Sequence, residues 1–201
     1  SVSSAFDLLG HHENDMTAVL GYVLARSPAF ARYLARSLGL SAPVTRSLDR
    51  IALQTRQGAE GITDIELGYG DQALVILEAK RGTSLPGSSQ LTRYARVLRK
   101  APVSSRLLVA LTNASPDYAE LVIHREHGDR IAGVPLLHRS WRQVRDLARK
   151  ARPEEKSSRR RILDEFTTYL EGILGMETRR SNLVFVVALS YYRHVAEYSS
   201  E

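Results

Sequence analysis

The residues ITDIELGYGDQALVILEAK, 62 to 80, constrain this chain most. Ala73 to Leu77 is an unbroken apolar run with the length and character of a buried strand. It ends in Glu78-Ala79-Lys80, and because alternate strand residues share a face, two opposite charges point the same way. Ile62, Asp64 and Glu66 share a face of the preceding segment by the same rule. GYGD, residues 68–71, joins the two as a hairpin, since glycine accepts the positive φ that such turns need. A fold built around this hairpin buries an apolar sheet, and if the hairpin brings the charged faces together, two carboxylates and an ammonium converge at its edge.

The flanking segments supply the cover. From about Asn14, Met16, Val19, Leu20, Val23 and Leu24 recur at helical spacing. Ser27-Pro28 breaks that helix and opens a second, AFARYLARSLGL, which Gly39 stops. SLDRIALQTR, GITDIELG and QALVILEAKR then read as three successive strands. TSLPGSS is a loop, and QLTRYARVLRK is a helix with Leu91, Tyr94, Ala95 and Leu98 on one side. SRLLVALTN is a buried strand, PDYAELVIHRE a helix, and IAGVPLLHRS contains a further strand. Ser140 is the expected N-cap of SWRQVRDLARKA, and RRRILDEFTTYLEGILG is a longer helix. NLVFVVALS is a strand or buried helix, with a final helix from Tyr191.

The expected fold class is therefore α/β, with a central mixed sheet: a three-stranded meander, a crossover helix, a further strand, helices on both faces and additional C-terminal helices. Residues 1–175 form the main domain, and 176–201 a strand/helix extension that reads as the start of a further domain in a longer protein.

At 201 residues the chain is long enough to bury a core without disulfides or structural metal. It has no cysteine, which excludes a disulfide framework and thiolate zinc sites and fits a reducing compartment. No signal-peptide pattern opens it, and its longest apolar runs, such as LVFVVAL at 183–189, are too short to span a bilayer. A cytoplasmic setting without membrane association is the expectation. The net charge of +6 favours an anionic partner.

Two carboxylates brought together raise each other's pKa, and a divalent cation removes that conflict. Oxygen ligands suit magnesium or manganese. GITDIEL…VILEAK resembles the core of the PD-(D/E)xK nuclease superfamily, whose restriction-endonuclease-like fold carries an acid on one strand and (D/E)-x-K at the end of the next. Asp64 matches the first acid, Glu78 the second and Lys80 the lysine. Gln90 and Tyr94, one helical turn apart in QLTRY, are similar to the QxxxY element of RecB-type members. Glu13 resembles an acid that many members place near the metal. Thr63 stands where the motif's proline would be.

The resemblance implies a metal-dependent endonuclease of restriction, phage defence or repair, acting on DNA, with RNA as the alternative substrate. Asp64, Glu78 and the Ala79 backbone carbonyl would hold Mg2+ or Mn2+, joined by Glu13. Lys80 would orient or deprotonate water, and Gln90 would help position it. Arg81, Arg93, Tyr94, Arg96 and Lys100 would meet the substrate, the basic residues by neutralising phosphates. A second basic group, Arg139, Arg142, Arg145, Arg149 and Lys150, belongs to the Trp141 helix. Cutting both strands of a duplex with one such site per chain calls for a homodimer.

Register is the hard test. A tight turn at Tyr69-Gly70 places Asp64 opposite Val75, three residues short of Glu78, a gap of roughly 10 Å. A bulge or strong curvature must then bring Asp64 up, or Glu60, nearly opposite Glu78 in that register, takes the role. Blander readings stand beside these. Glu78 and Lys80 alone could be an exposed ion pair of negligible energetic value. His11, His12, His124 and His127 read as surface histidines rather than zinc ligands, KSSRRR as a solvated helix start, and Trp141 as core. The competing function is a catalytically inactive nuclease-like module that binds nucleic acid or protein; a more remote one is a basic membrane-surface protein.

Overall fold

The computed structural model describes residues 2–58 and 61–176. The expectations for Glu60 and for the segments beyond residue 176 lie outside the described residues. The order is α1 (Glu13–Arg26), α2 (Pro28–Ser37), β1 (Arg50–Arg56), β2 (Ile62–Tyr69), β3 (Ala73–Ala79) and α3 (Ser88–Lys100). Then come β4 (Ser105–Thr112), α4 (Pro116–His127), β5 (Arg130–Ile131), β6 (Val134–Ser140), α5 (Trp141–Ala151) and a helix α6 over residues 157–176. The strands form one six-stranded sheet in the order β1-β2-β3-β4-β6-β5.

β1, β2 and β3 are an antiparallel meander, whereas β3-β4 and β4-β6 are parallel pairs. Each parallel pair is bridged by a helix, α3 or α4, as a parallel connection requires. β3 is buried along its whole length because it is flanked on both edges and covered on both faces. That explains why Ala73–Leu77 is continuously apolar rather than alternating.

Odd-numbered strand residues, such as Ile65, Leu67, Val75, Leu77, Val109 and Leu111, face a core shared with α1, α2, α5 and α6. Even-numbered Ile76, Leu108 and Leu136 face Leu91, Tyr94 and Leu98 of α3 and Ile123 of α4. Each fully buried Leu, Ile or Val contributes roughly 2 kcal/mol, so both layers are strongly driven. α1 approaches β1 closely at Gly21, where a Cβ would stand 2.7 Å from Leu53 Cδ2. Packed this way, α1 presents its first residue, Glu13, to Lys80 just past the end of β3. The α5 N-cap is Ser140, which accepts from the Gln143 N–H while the Gln143 side chain returns to the Ser140 N–H.

The hairpin differs from the tight turn expected at Tyr69-Gly70. Tyr69 pairs with Ala73, so the connection is the three-residue loop Gly70-Asp71-Gln72, with Gly70 at φ 58°. The register runs Ile65↔Leu77 and Glu66↔Ile76. Extended by one residue, it sets Asp64 directly opposite Glu78. The expected three-residue offset is wrong, and no bulge between β2 and β3 is needed. Sheltering Ile65, Leu67, Val75 and Leu77 on one face selects this pairing, since a one-residue slip would turn them outward.

Candidate active site

Asp64, Glu78 and Lys80 meet at the C-terminal end of β3, on the side of the sheet that α3 covers. Both carboxylates are buried, Asp64 8% and Glu78 only 1% exposed. Asp64 Oδ2 accepts the Ala79 N–H at 2.9 Å, which ties the acid of β2 to the backbone between Glu78 and Lys80. Asp64 Oδ1 receives a longer bond, 3.3 Å, from Gln54 of β1, whose backbone sits at φ 49°.

Glu78 Oε1 accepts from Lys80 Nζ at 2.9 Å and from Gln90 Nε2 at 2.5 Å. Glu78 Oε2 is buried with no hydrogen-bond partner among the described residues. Burial, and then the facing Asp64, push the Glu78 pKa up to about 7. Burial likewise raises Asp64, against the Ala79 N–H and Lys80, which favour its charge. Burial opposes the charge on Lys80, but hydrogen bonds to Glu13 and Glu78 outweigh it and hold the ammonium protonated well above its ordinary range.

Glu13, the first residue of α1, closes the group from the opposite layer. Its Oε1 accepts from Lys80 Nζ at 2.9 Å and its Oε2 from the Arg81 N–H at 3.1 Å. Glu13 therefore grips the lysine and the backbone that follows it. Tyr94 is buried, donates to the Ile62 carbonyl at 2.5 Å and accepts from Gln90 Nε2 at 3.2 Å. It pins α3 to β2 and aims Gln90 at Glu78.

The structure thus brings together Glu13, Asp64, Glu78, Ala79, Lys80, Gln90 and Tyr94. Arg81 follows directly and is half-buried, as is Arg93, while Arg96 and Lys100 lie exposed on α3. The second basic group is largely absorbed by structure. Arg139 donates to the Ser37 carbonyl, Arg145 pairs with Asp146, and Arg149 pairs with Glu171 and Asp146.

Sequence reasoning missed two supports and the burial of one neighbouring acid. Gln54 reaches Asp64; Trp141, though fully buried as expected, donates through Nε1 to the Lys80 carbonyl at 3.2 Å. Glu66 is a third buried carboxylate, held by Thr63 Oγ1 at 2.7 Å and by Gln57. The alternation of charge at 64, 66, 78 and 80 was the available signal for Glu66. No local pattern announces Gln54 or the Trp141 bond.

The donor set suits a hard divalent cation. An orphaned carboxylate oxygen beside a second carboxylate, both desolvated, is relieved by a proton or by a bound cation. Among the described residues no group of three or more His, Cys, Asp or Glu forms a metal cage. Two carboxylates are the usual protein share for magnesium, which keeps waters and substrate oxygens as its other ligands. No helix among the described residues is long and apolar enough to cross a membrane. No protein family, curated protein or solved structure matches the chain.

Proposed function

We propose that the protein is a metal-dependent phosphodiesterase with a restriction-endonuclease-like core, cutting DNA, with RNA as the alternative substrate. The observation that carries this reading is the pair Asp64 and Glu78, opposed across β2 and β3 with Glu78 Oε2 unpartnered and Lys80 Nζ on Glu78 Oε1. The likeness of this set, with Gln90 and Tyr94, to the PD-(D/E)xK pattern supports it. Asp64, Glu78 and the Ala79 carbonyl would hold Mg2+ or Mn2+. When bound, that ion neutralises phosphate charge and makes water more acidic.

The chain's own groups supply the rest. Lys80 is a fixed cation near neutral pH, so it orients water or a phosphate oxygen by donation and offsets negative charge as it develops. Glu13 holds Lys80 in place rather than competing for the ion, because both its oxygens are engaged. Gln90 fixes the Glu78 carboxylate. Arg81, Arg93, Arg96 and Lys100 neutralise backbone phosphates along the adjoining surface. A role in restriction, phage defence or repair, and a homodimer for double-strand cutting, follow from the same reading.

The test is cleavage of plasmid DNA, linear DNA and RNA with magnesium, manganese or EDTA, beside Glu78→Ala and Lys80→Ala. Metal-dependent cutting lost in both variants is the expected result. Equal cutting by the variants sinks the site. No cutting under any condition leaves a nuclease-like module that binds without hydrolysis.

A further inference from the structure

A cavity of about 640 Å³ lies at the opposite ends of the same parallel strands. Its walls include the starts of β3 and β4, the end of α2 and the β5–β6 hairpin. Leu74, in its lining, precedes Lys80 by six residues on the chain, about 20 Å of extended strand. The cavity is therefore separate from the carboxylate pair.

Its charge is one-sided. Arg99, Arg106 and Arg130 line it, and among the described residues no aspartate or glutamate does. Part of their donor capacity serves the fold: Arg106 Nη2 donates to the Ala101 carbonyl at the end of α3, and Arg130 ties the Gly133 carbonyl. Arg106 Nε is buried with no hydrogen-bond partner among the described residues, a state that a ligand's acceptor would relieve. Arg99 is exposed in the last turn of α3. Guanidinium groups match phosphate with paired donors, and the volume falls in the range of small-molecule sites. Leu74, Leu107, Pro135 and Leu137 add apolar wall, which suits a flat ring and not a bare inorganic ion.

We infer that this cavity binds a phosphorylated small molecule of mononucleotide size, its phosphate on Arg99 and Arg106 and its ring against the leucines. The inference does not rest on the nuclease reading. Isothermal titration of the full chain with AMP, adenosine, inorganic phosphate and a short single-stranded oligonucleotide tests it. AMP should bind saturably at one site, more tightly than adenosine or phosphate. Arg106→Gln should weaken AMP about tenfold, the loss of one charge-assisted contact. Arg99→Glu, at an exposed position, should weaken it at least as much and covers the case in which the Arg106 variant fails to fold. Glu78→Gln should leave AMP binding unchanged. Absence of saturable AMP binding, adenosine binding as tightly as AMP, or AMP binding indifferent to both arginine variants would each overturn the assignment. So would loss of AMP binding in Glu78→Gln, which would put the ligand at the carboxylates. Arginine-dependent binding of the oligonucleotide alone would move the contact to a nucleic-acid backbone and overturn it too.

Discussion

Replacing Glu78 with glutamine probes the electrostatics of the opposed carboxylates. Burial first, and Asp64 second, carry Glu78 from an ordinary 4.5 to about 7 in the folded protein. Between those values the folded chain keeps a proton that the unfolded chain has released. Stability from this group therefore falls as pH rises from 4.5 through 7 and levels off above. A displacement of that size corresponds to about 3 kcal/mol.

His138 acts in the opposite sense. Burial, then Arg139, depress it from 6.5 to about 4, so its contribution is present above pH 6.5 and lost as pH falls toward 4. In the wild type the two effects nearly cancel between pH 4.5 and 6.5, so subtraction is needed. Urea unfolding in EDTA from pH 5 to 8 should show wild-type minus Glu78→Gln stability declining by about 2–3 kcal/mol. Magnesium at a hundred times its dissociation constant should return about 3 kcal/mol to the wild type at pH 8 and much less to the variant. A level difference curve would refute the claim that Glu78 is a desolvated carboxylate facing Asp64.

Lys80→Met should lower metal-dependent cleavage by about 10²-fold or more while DNA binding, read by fluorescence anisotropy, is retained through the arginines. Ser140→Ala removes the α5 cap and should cost about 1 kcal/mol in denaturant unfolding, with no change in the pH profile. Tyr94→Phe leaves the Ile62 carbonyl without its donor and frees Gln90; about 1–3 kcal/mol of stability should go, with cleavage falling alongside.

Much of this architecture was legible because local and global preferences agree. The apolar run at 73–77 could only be a buried strand, and the helical spacing of Leu91, Tyr94 and Leu98 put Gln90 one turn before Tyr94, on the side facing the sheet. Ser140 and Pro28 marked helix starts through their own chemistry. What failed was the length and the centre of one loop, which lies on Gly70-Asp71-Gln72. GYGD offers a two-residue turn on local grounds, yet the strand faces prefer three residues, and burial outweighs turn preference. The grip of Glu13 on Lys80 was illegible in its detail because 67 residues separate the partners and the packing of α1 on β1 decides it. The Arg139–Lys150 group misled in part for a related reason: Asp146 lies on the same helix, but the partners Ser37 and Glu171 come from other helices and are not visible locally.

Separation along the chain also orders assembly. Asp64 and the Ala79 N–H are 15 residues apart, so the hairpin alone can bring the two acids face to face. The contact between Glu13 and Lys80 closes a loop several times longer and must wait for α1 to dock. Lys80 meets Glu78 within the hairpin itself, but the two acids lose their water only as the helices pack over them. A proton on Glu78, or a divalent ion, present during folding would ease that burial. Refolding should accordingly be faster in mildly acidic buffer or with magnesium than in alkaline EDTA, with the carboxylate end of the sheet closing last.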